Sequence, residues 1–173
     1  MISNGVDGPK PAAYELESKE ALRRRFKALR RLVLPQERER ASREIAETLL
    51  ASVPWATVHA LHIYRAVPSW GEVDTEPIVL GVRAAFPGVE IVYPGATRSE
   101  PLPEPKFDLI VVPILAFDSD RYRLGLGAGF YDRFLAGQLQ ALKFGLAYRW
   151  ALYPQQLPRE PHDIRLDRIF TDA

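Results

Sequence analysis

The stretch LIVVPILAFDSDRYRLGLGAGFYDRFLAG, residues 109–137, decides the fold class of this chain. Residues 108–115 are almost entirely apolar, which is typical of a strand buried on both faces of a parallel sheet. A loop with glycine at every second position follows over residues 125–129 and leads into a helix-like segment over about 129–135. A strand, a glycine loop and a helix start in this order direct free backbone N–H groups at a phosphate. The stretch therefore predicts an α/β fold with an anion site.

The glycine loop alone is weak evidence for a phosphate site. Such loops are more often turns without a ligand, and this one lacks the Gly-Lys-Ser/Thr ending of a P-loop. It also lacks the spacing and position of a dinucleotide fingerprint. Asp132, one turn into the expected helix, adds a carboxylate where a phosphate-bound magnesium could lie.

The remaining chain alternates between apolar strands and amphipathic helices. We expect helices over 18–33 and 36–51, a third from Asp74 or Thr75 with Pro77 in its first turn, and strands over 58–64, 89–93, 108–112 and 144–148. This order predicts a three-layer α/β fold, a mostly parallel sheet with helices on both faces. Loops before Glu72, after Pro113 and after Tyr148 would then share the carboxyl edge of the sheet, where ligands bind.

Length and composition predict one globular domain. The chain has 173 residues, 47% of them hydrophobic and 26% charged. Residues 1–13 are polar with glycine and proline, so we expect a disordered tail ahead of a single domain over 14–173. The absence of cysteine excludes disulfides, thiolate chemistry and cysteine-ligated zinc. No apolar run is long enough for a bilayer, so we expect a cytoplasmic protein without a membrane partner.

Residues 19–43 carry ten Lys or Arg against three Glu, a net charge of +7. Such a segment indicates a solvated helix face or a site for a polyanion, and ATP is a polyanion. A nucleic-acid-binding module is an alternative in a different functional class. Its weakness is that the segment has a single aromatic residue, Phe26, which lies on the apolar stripe of the helix.

The glycine stretch closely resembles the signature of the 5-formyltetrahydrofolate cyclo-ligases, also called 5,10-methenyltetrahydrofolate synthetases. That family carries VPGLAFD followed by RLGxGxGYYD, and this chain has VPILAFD at 112–118 and RLGLGAGFYD at 123–132. The family's KxxLR and EVDT segments resemble residues 19–23 and 72–75. Its carboxyl-terminal Leu-Pro, His-Asp, Leu-Asp and Ile-Phe-Thr groups resemble residues 157–171. Four matches in the family's order make the resemblance specific.

The resemblance implies the ATP- and Mg²⁺-dependent closure of 5-formyltetrahydrofolate to 5,10-methenyltetrahydrofolate. ATP and a reduced folate would be its partners, with no nucleic acid, and we expect a monomer. The implied catalytic residues are Arg123 and Asp132; the ATP site has Lys19, Arg23, Arg123, Leu124, Gly125, Leu126, Gly127, Ala128, Gly129, Phe130 and Tyr131; the substrate site has Val67, Glu72, Trp70 and Tyr148; the magnesium site has Asp132 and Asp163. For Trp70 and Tyr148, packing in the core or at a rim is an equal alternative.

The chain departs from the family pattern mainly around the folate. Ile114 and Arg121 stand where the family has glycine, and Ala151 replaces a glutamine. The segment between Tyr93 and Asp108 is much shorter than in the family. We therefore expect an intact nucleotide half and a trimmed folate half. The chain would be either a cyclo-ligase with a more open folate pocket, or a divergent member that uses another small substrate or is inactive.

Overall fold

The central sheet has five parallel strands. The structure is a computed structural model and describes residues 17–94 and 106–173, so the expected tail and most of the shortened segment lie outside it. The described residues form seven strands in all, of which five belong to this sheet: β1 Ala60–Ile63, β2 Glu90–Val92, β3 Leu109–Pro113, β4 Ala116–Phe117, β5 Arg123–Leu124, β6 Leu142–Leu146 and β7 Arg168–Phe170. The sheet order is β2-β1-β3-β6-β7, and β4 and β5 form a separate antiparallel hairpin.

Four α-helices flank the sheet. They are α1 Lys19–Arg31, α2 Pro35–Ser52, α3 Glu76–Ala85 and α4 Phe130–Ala136, and short 3-10 turns lie at Trp55–Thr57, Pro68–Trp70 and Arg149–Ala151. The four predicted strands and four predicted helices are all present, and their ends lie within two residues of the expected ones. No helix among the described residues has the length and apolarity needed to cross a membrane.

The side chains of β3 show why the fold has three layers. Successive residues of a strand point to opposite faces, so Leu109 and Val111 join the core under α2 and α3, while Ile110 and Val112 join the core under α4. All four are fully buried. The α/β prediction with helices on both faces is therefore confirmed.

The apolar run after β3 does not continue as one strand. Beyond Pro113 the chain enters the β4–β5 hairpin, where Leu115 N–H donates to the Leu124 carbonyl over 3.0 Å. Helix α1 packs its buried Leu22 and Phe26 against this hairpin. The hairpin was not predicted, because each of its strands has only two residues. It brings the glycine loop and α1 to the same edge of the sheet.

Two of the departures from the family pattern are accommodated by their neighbours. The Ile114 side chain packs over Gly145 of β6, where a Cβ would overlap it, and beside Leu166. Arg121 has a φ of 67°, in the left-handed region that favours glycine, and its Nε donates to the Leu166 carbonyl over 3.1 Å. Both side chains therefore fill space next to the carboxyl-terminal segment. Ala151 is buried in the same core.

His62 of β1 lies in the core and gives the stability of the protein a pH dependence. It is fully buried beside Phe107, Tyr131 and Phe134, and neither ring nitrogen has a partner among the described residues. Burial lowers the pKa of His62 to about 4 from 6.5. Between these values the unfolded chain binds a proton that the folded chain does not, so stability rises with pH.

Replacing His62 by phenylalanine is expected to remove this pH dependence, since a neutral ring suits the aromatic pocket. The wild-type free energy of unfolding should fall by about 3 kcal/mol more than that of His62→Phe as the pH drops from 6.5 to 4. Urea unfolding across that range checks this, with exposed His59→Phe as control. Parallel pH profiles for wild type and His62→Phe would contradict the account.

Candidate active site

A cleft with a volume of about 700 Å³ lies at the carboxyl edge of the sheet. It is bordered by the loops that follow β1 and β3, by the glycine loop, by one face of α1 and by the segment 160–163. The predicted site residues that line it are Lys19, Arg23, Val67, Trp70, Glu72, Arg123, Leu124, Gly125, Leu126, Gly127, Ala128, Gly129, Phe130, Tyr131, Asp132 and Asp163. The structure therefore brings together every predicted site residue except Tyr148.

The glycine loop needs its glycines at two places. Gly127 and Gly129 have φ angles of 108° and 62°, values that residues with a side chain rarely adopt. Arg23 of α1 lies directly against the loop, where its Nε donates to the Gly125 carbonyl over 3.2 Å. A Cβ at Gly127 would lie 3.4 Å from the same nitrogen. The glycine loop and a guanidinium thus lie side by side in the cleft, an arrangement suited to a phosphate chain.

Arg123 and Asp132 form an ion pair at the floor of the cleft. Nη2 of Arg123 donates to Oδ1 of Asp132 over 2.7 Å, and Nη1 donates to the Ile164 carbonyl over 2.8 Å. The arginine side chain is only 4% exposed and the aspartate 22%. Burial lowers the pKa of Arg123, an effect that the Asp132 carboxylate opposes. Asp132 therefore holds a buried guanidinium in place, a role that the predicted magnesium site did not include.

The predicted metal ligand Asp163 lies in a cluster with Lys19 and Glu160. Nζ of Lys19 donates to Asp163 over 2.6 Å and to Glu160 over 2.7 Å. Burial tends to raise the pKa of Asp163, but the hydrogen bonds from Lys19 and from the Glu160 backbone N–H lower it. Both carboxylates are therefore charged at neutral pH.

The side chains of residues 160–163 have the spacing to hold a magnesium ion that also binds phosphates. Ligand atoms of Glu160, His162 and Asp163 lie within 4.8 Å of one another, and Mg²⁺ usually takes one or two carboxylates together with substrate phosphates. Glu160 was missed in the sequence analysis, and Asp132 is not among the three. Because the Lys19 ammonium occupies the same oxygens, a metal ion would compete with it for them.

The opposite end of the cleft is built on the turn before Glu72. Gly71 has a φ of 65°, and the Glu72 side chain, 5% exposed, folds back so that Oε2 accepts the Val67 N–H over 2.8 Å. Trp70 is 41% exposed at the rim. Arg30 of α1 lies behind the turn, with Nη2 3.9 Å from Oε1 of Glu72. This end combines a carboxylate, a guanidinium and an indole.

Tyr148, which the sequence analysis placed in the substrate site, does not line the cleft. Its side chain is buried, its ring stacks on Trp150 at 5.3 Å, and its hydroxyl donates to the Gly71 carbonyl over 3.0 Å. Burial raises its pKa to about 12, so the hydroxyl keeps its proton. The sequence left open whether Tyr148 binds the substrate or packs in the core, and core packing is the one observed. Through its hydrogen bond to the Gly71 carbonyl, Tyr148 supports the turn before Glu72.

Arg30 is the cleft residue that the sequence analysis missed most clearly, and a signal for it was present. Its position four residues after Phe26 puts it on the buried face of α1 with Leu22. Because a charged side chain is rarely buried unless it is paired, an arginine on an apolar stripe indicates a specific partner or a site. Three other cations of the basic segment, Arg24, Arg40 and Arg43, instead pair with glutamates one turn away at the surface.

Comparison with known proteins gives one consistent result. Residues 81–172, more than half of the chain, match the sequence model of the 5-formyltetrahydrofolate cyclo-ligase family. The 5-formyltetrahydrofolate cyclo-ligase of Escherichia coli K12 is 26% identical over 83% of this chain and 94% of its own. The protein of that name from Mycoplasma pneumoniae is 35% identical over 53% of this chain and 57% of its own.

Two solved structures share the fold. A 5,10-methenyltetrahydrofolate synthetase from Mycoplasma pneumoniae superposes with a TM-score of 0.75 at 24% identity, covering 89% of this chain and 98% of that one. The 5,10-methenyltetrahydrofolate synthetase of Aquifex aeolicus gives 0.70 at 28% identity, covering 88% and 89%. The match of residues 81–172 to the family model shows that the chain belongs to the 5-formyltetrahydrofolate cyclo-ligase family.

Proposed function

We propose that the protein uses ATP and Mg²⁺ to convert 5-formyltetrahydrofolate to 5,10-methenyltetrahydrofolate, with release of ADP and phosphate. The observation that carries the proposal is that one cleft joins a glycine loop flanked by cations to a turn that bears a carboxylate. ATP and a reduced folate would be the partners. We propose a cytoplasmic monomer as the working form.

The chemistry requires activation of a poor electrophile. The formyl oxygen attacks the γ-phosphorus of ATP, the bond to ADP breaks, and a phosphorylated formyl group remains on N5. N10 then attacks the formyl carbon and loses its proton, and the C–O bond breaks to release phosphate. The product carries one carbon bridging N5 and N10. Such a reaction depends on positioning two substrates and stabilising phosphoryl charge, since the protein forms no covalent bond.

The cations at the glycine loop suit that demand. Backbone amides over 125–129 and the guanidinium of Arg23 would hold the phosphate chain. Arg123 would stabilise the charge on the transferred group, and it acts strongly because it is shielded from water. Asp132 would keep Arg123 aimed at that group. Lys19 would move from its carboxylate partners toward the phosphates as they enter.

The carboxylates of Asp163 and Glu160 would hold the magnesium ion. When bound, the ion neutralises phosphate charge. Asp132 would then contribute through Arg123 more than as a direct metal ligand, since its Oδ1 already accepts two hydrogen bonds. At the other end, Glu72, Val67 and Trp70 would receive the folate head group, with Trp70 offering a flat surface at the rim.

The proposal is tested by following the absorbance of 5,10-methenyltetrahydrofolate after purified protein is mixed with 5-formyltetrahydrofolate, ATP and Mg²⁺. We expect a rise that requires all three, and omission of each in turn serves as the control. No rise from a folded protein that still binds ATP would reject the proposed substrate. That result would instead favour a divergent member of the family acting on another small compound.

A further inference from the structure

Arg30 is a buried cation that keeps one unpaired N–H donor among the described residues. The residue is 4% exposed, yet its Nε has no hydrogen-bond partner among the described residues. Its ion pair with Glu72 measures 3.9 Å, beyond hydrogen-bond length. Burial lowers the pKa of Arg30, and the Glu72 carboxylate opposes that effect. An N–H donor left unmatched in the protein interior is costly.

Arg30 lies where its guanidinium can contact a ligand in the cleft. Arg30 borders the cleft at the end formed by Glu72 and Val67, away from the carboxylates that pair with Lys19. Its main-chain oxygen and side-chain stem lie against Gly71, which fixes the guanidinium beside the turn. A donor-only group and an acceptor-only group thus stand side by side on one wall.

We infer that Arg30 is a substrate-binding residue that donates to an acceptor oxygen on the ligand's flat head group, while Glu72 accepts from the neighbouring N–H groups of the same edge. This inference rests on the proposed function and specifies how the head group is recognised. A pterin with a 4-oxo group has such an edge, because its carbonyl oxygen adjoins the N3–H and the 2-amino group. A site with paired donor and acceptor strongly rejects an analogue that lacks one of the two.

The test changes the donor and acceptor pattern of that edge, because the 4-amino compound lacks the carbonyl oxygen and also carries no hydrogen on N3. Binding of 5-formyltetrahydrofolate and of its 4-amino-4-deoxy counterpart is measured by calorimetry for wild type and for Arg30→Met. The 4-amino compound presents a donor where the natural compound presents an acceptor. We expect the preference of the wild type for the 4-oxo compound to fall by about 10- to 100-fold in Arg30→Met, the loss of one hydrogen bond to a charged group. ATP affinity should stay within about twofold.

The matched control is Arg31→Met, the exposed neighbour on the same helix, which should keep the wild-type preference. Arg30→Met leaves Glu72 without its counter-charge, so Arg30→Lys, which keeps the charge, provides a second variant whose preference should also fall. Unfolding curves verify that each variant is folded. An unchanged preference in a folded Arg30 variant, or an equal loss for both compounds, would overturn the inference. Failure of the wild type to bind either compound would instead reject the proposed function.

Discussion

Replacing Asp132 by asparagine is expected to slow the ATP-dependent reaction by about 10²–10³-fold. The reason is the 2.7 Å ion pair that Asp132 forms with Arg123, whose side chain is only 4% exposed. Asparagine keeps the shape but removes the charge that orients the guanidinium toward the transferred phosphoryl group. The rate constant at saturating ATP and folate is the measurement, and the Michaelis constant for folate should change little.

The same substitution also affects stability. The structure places the Asp132 carboxylate against a buried arginine. We therefore expect Asp132→Asn to lower the free energy of unfolding by about 1–2 kcal/mol. Asp120→Asn is the control, because Asp120 also pairs with an arginine, Arg159 at 2.6 Å, but outside the cleft. Wild-type turnover in folded Asp132→Asn would remove Arg123 and Asp132 from the proposed mechanism.

Gly71→Ala is expected to destabilise the protein by about 2–4 kcal/mol. Gly71 has a left-handed backbone, and an added Cβ would overlap the main-chain oxygen of Arg30. Relief of that overlap must separate the Glu72 turn from α1 and disturb the hydrogen bond that Tyr148 donates to the Gly71 carbonyl. Binding of the folate should weaken much more than binding of ATP, because the Glu72 turn belongs to the proposed folate end of the cleft, whereas the glycine loop forms the phosphate end.

Urea unfolding and separate calorimetric titrations with ATP and folate measure the two effects. Gly88→Ala is the matched control, since a Cβ there meets nothing within 4 Å, and its stability should stay within about 0.5 kcal/mol of wild type. Equal stability of Gly71→Ala and Gly88→Ala would show that the turn can move away from α1 without cost.

The elements that the sequence predicted well are those with a strong local pattern. Helix α1 carries an apolar stripe ending near a proline, and β3 is apolar on both faces, so both were placed within a few residues. The glycine loop was identified because its spacing and its neighbours resemble a known signature. Since parallel strands end at one edge, the meeting of that loop with the Glu72 turn also followed from the strand order.

The parts that escaped prediction depend on contacts distant in the chain. Strand β7 has three residues at the sheet edge, too few for a periodic pattern. Tyr148 follows a strand, as a ligand-binding residue would, and only the positions of Trp150 and Gly71 reveal that it faces inward. The pairing of Lys19 with Glu160 and Asp163 joins the two ends of the domain. No local pattern encodes such a contact.

The most direct test of the proposed mechanism is to follow the formyl oxygen. The protein is incubated with ATP, Mg²⁺ and 5-formyltetrahydrofolate labelled with ¹⁸O in the formyl group, and the released phosphate is analysed by ³¹P NMR. If the formyl oxygen attacks the γ-phosphorus, each phosphate formed with 5,10-methenyltetrahydrofolate carries one ¹⁸O atom. Unlabelled phosphate, or product formed without phosphate, would contradict phosphoryl activation of the formyl group.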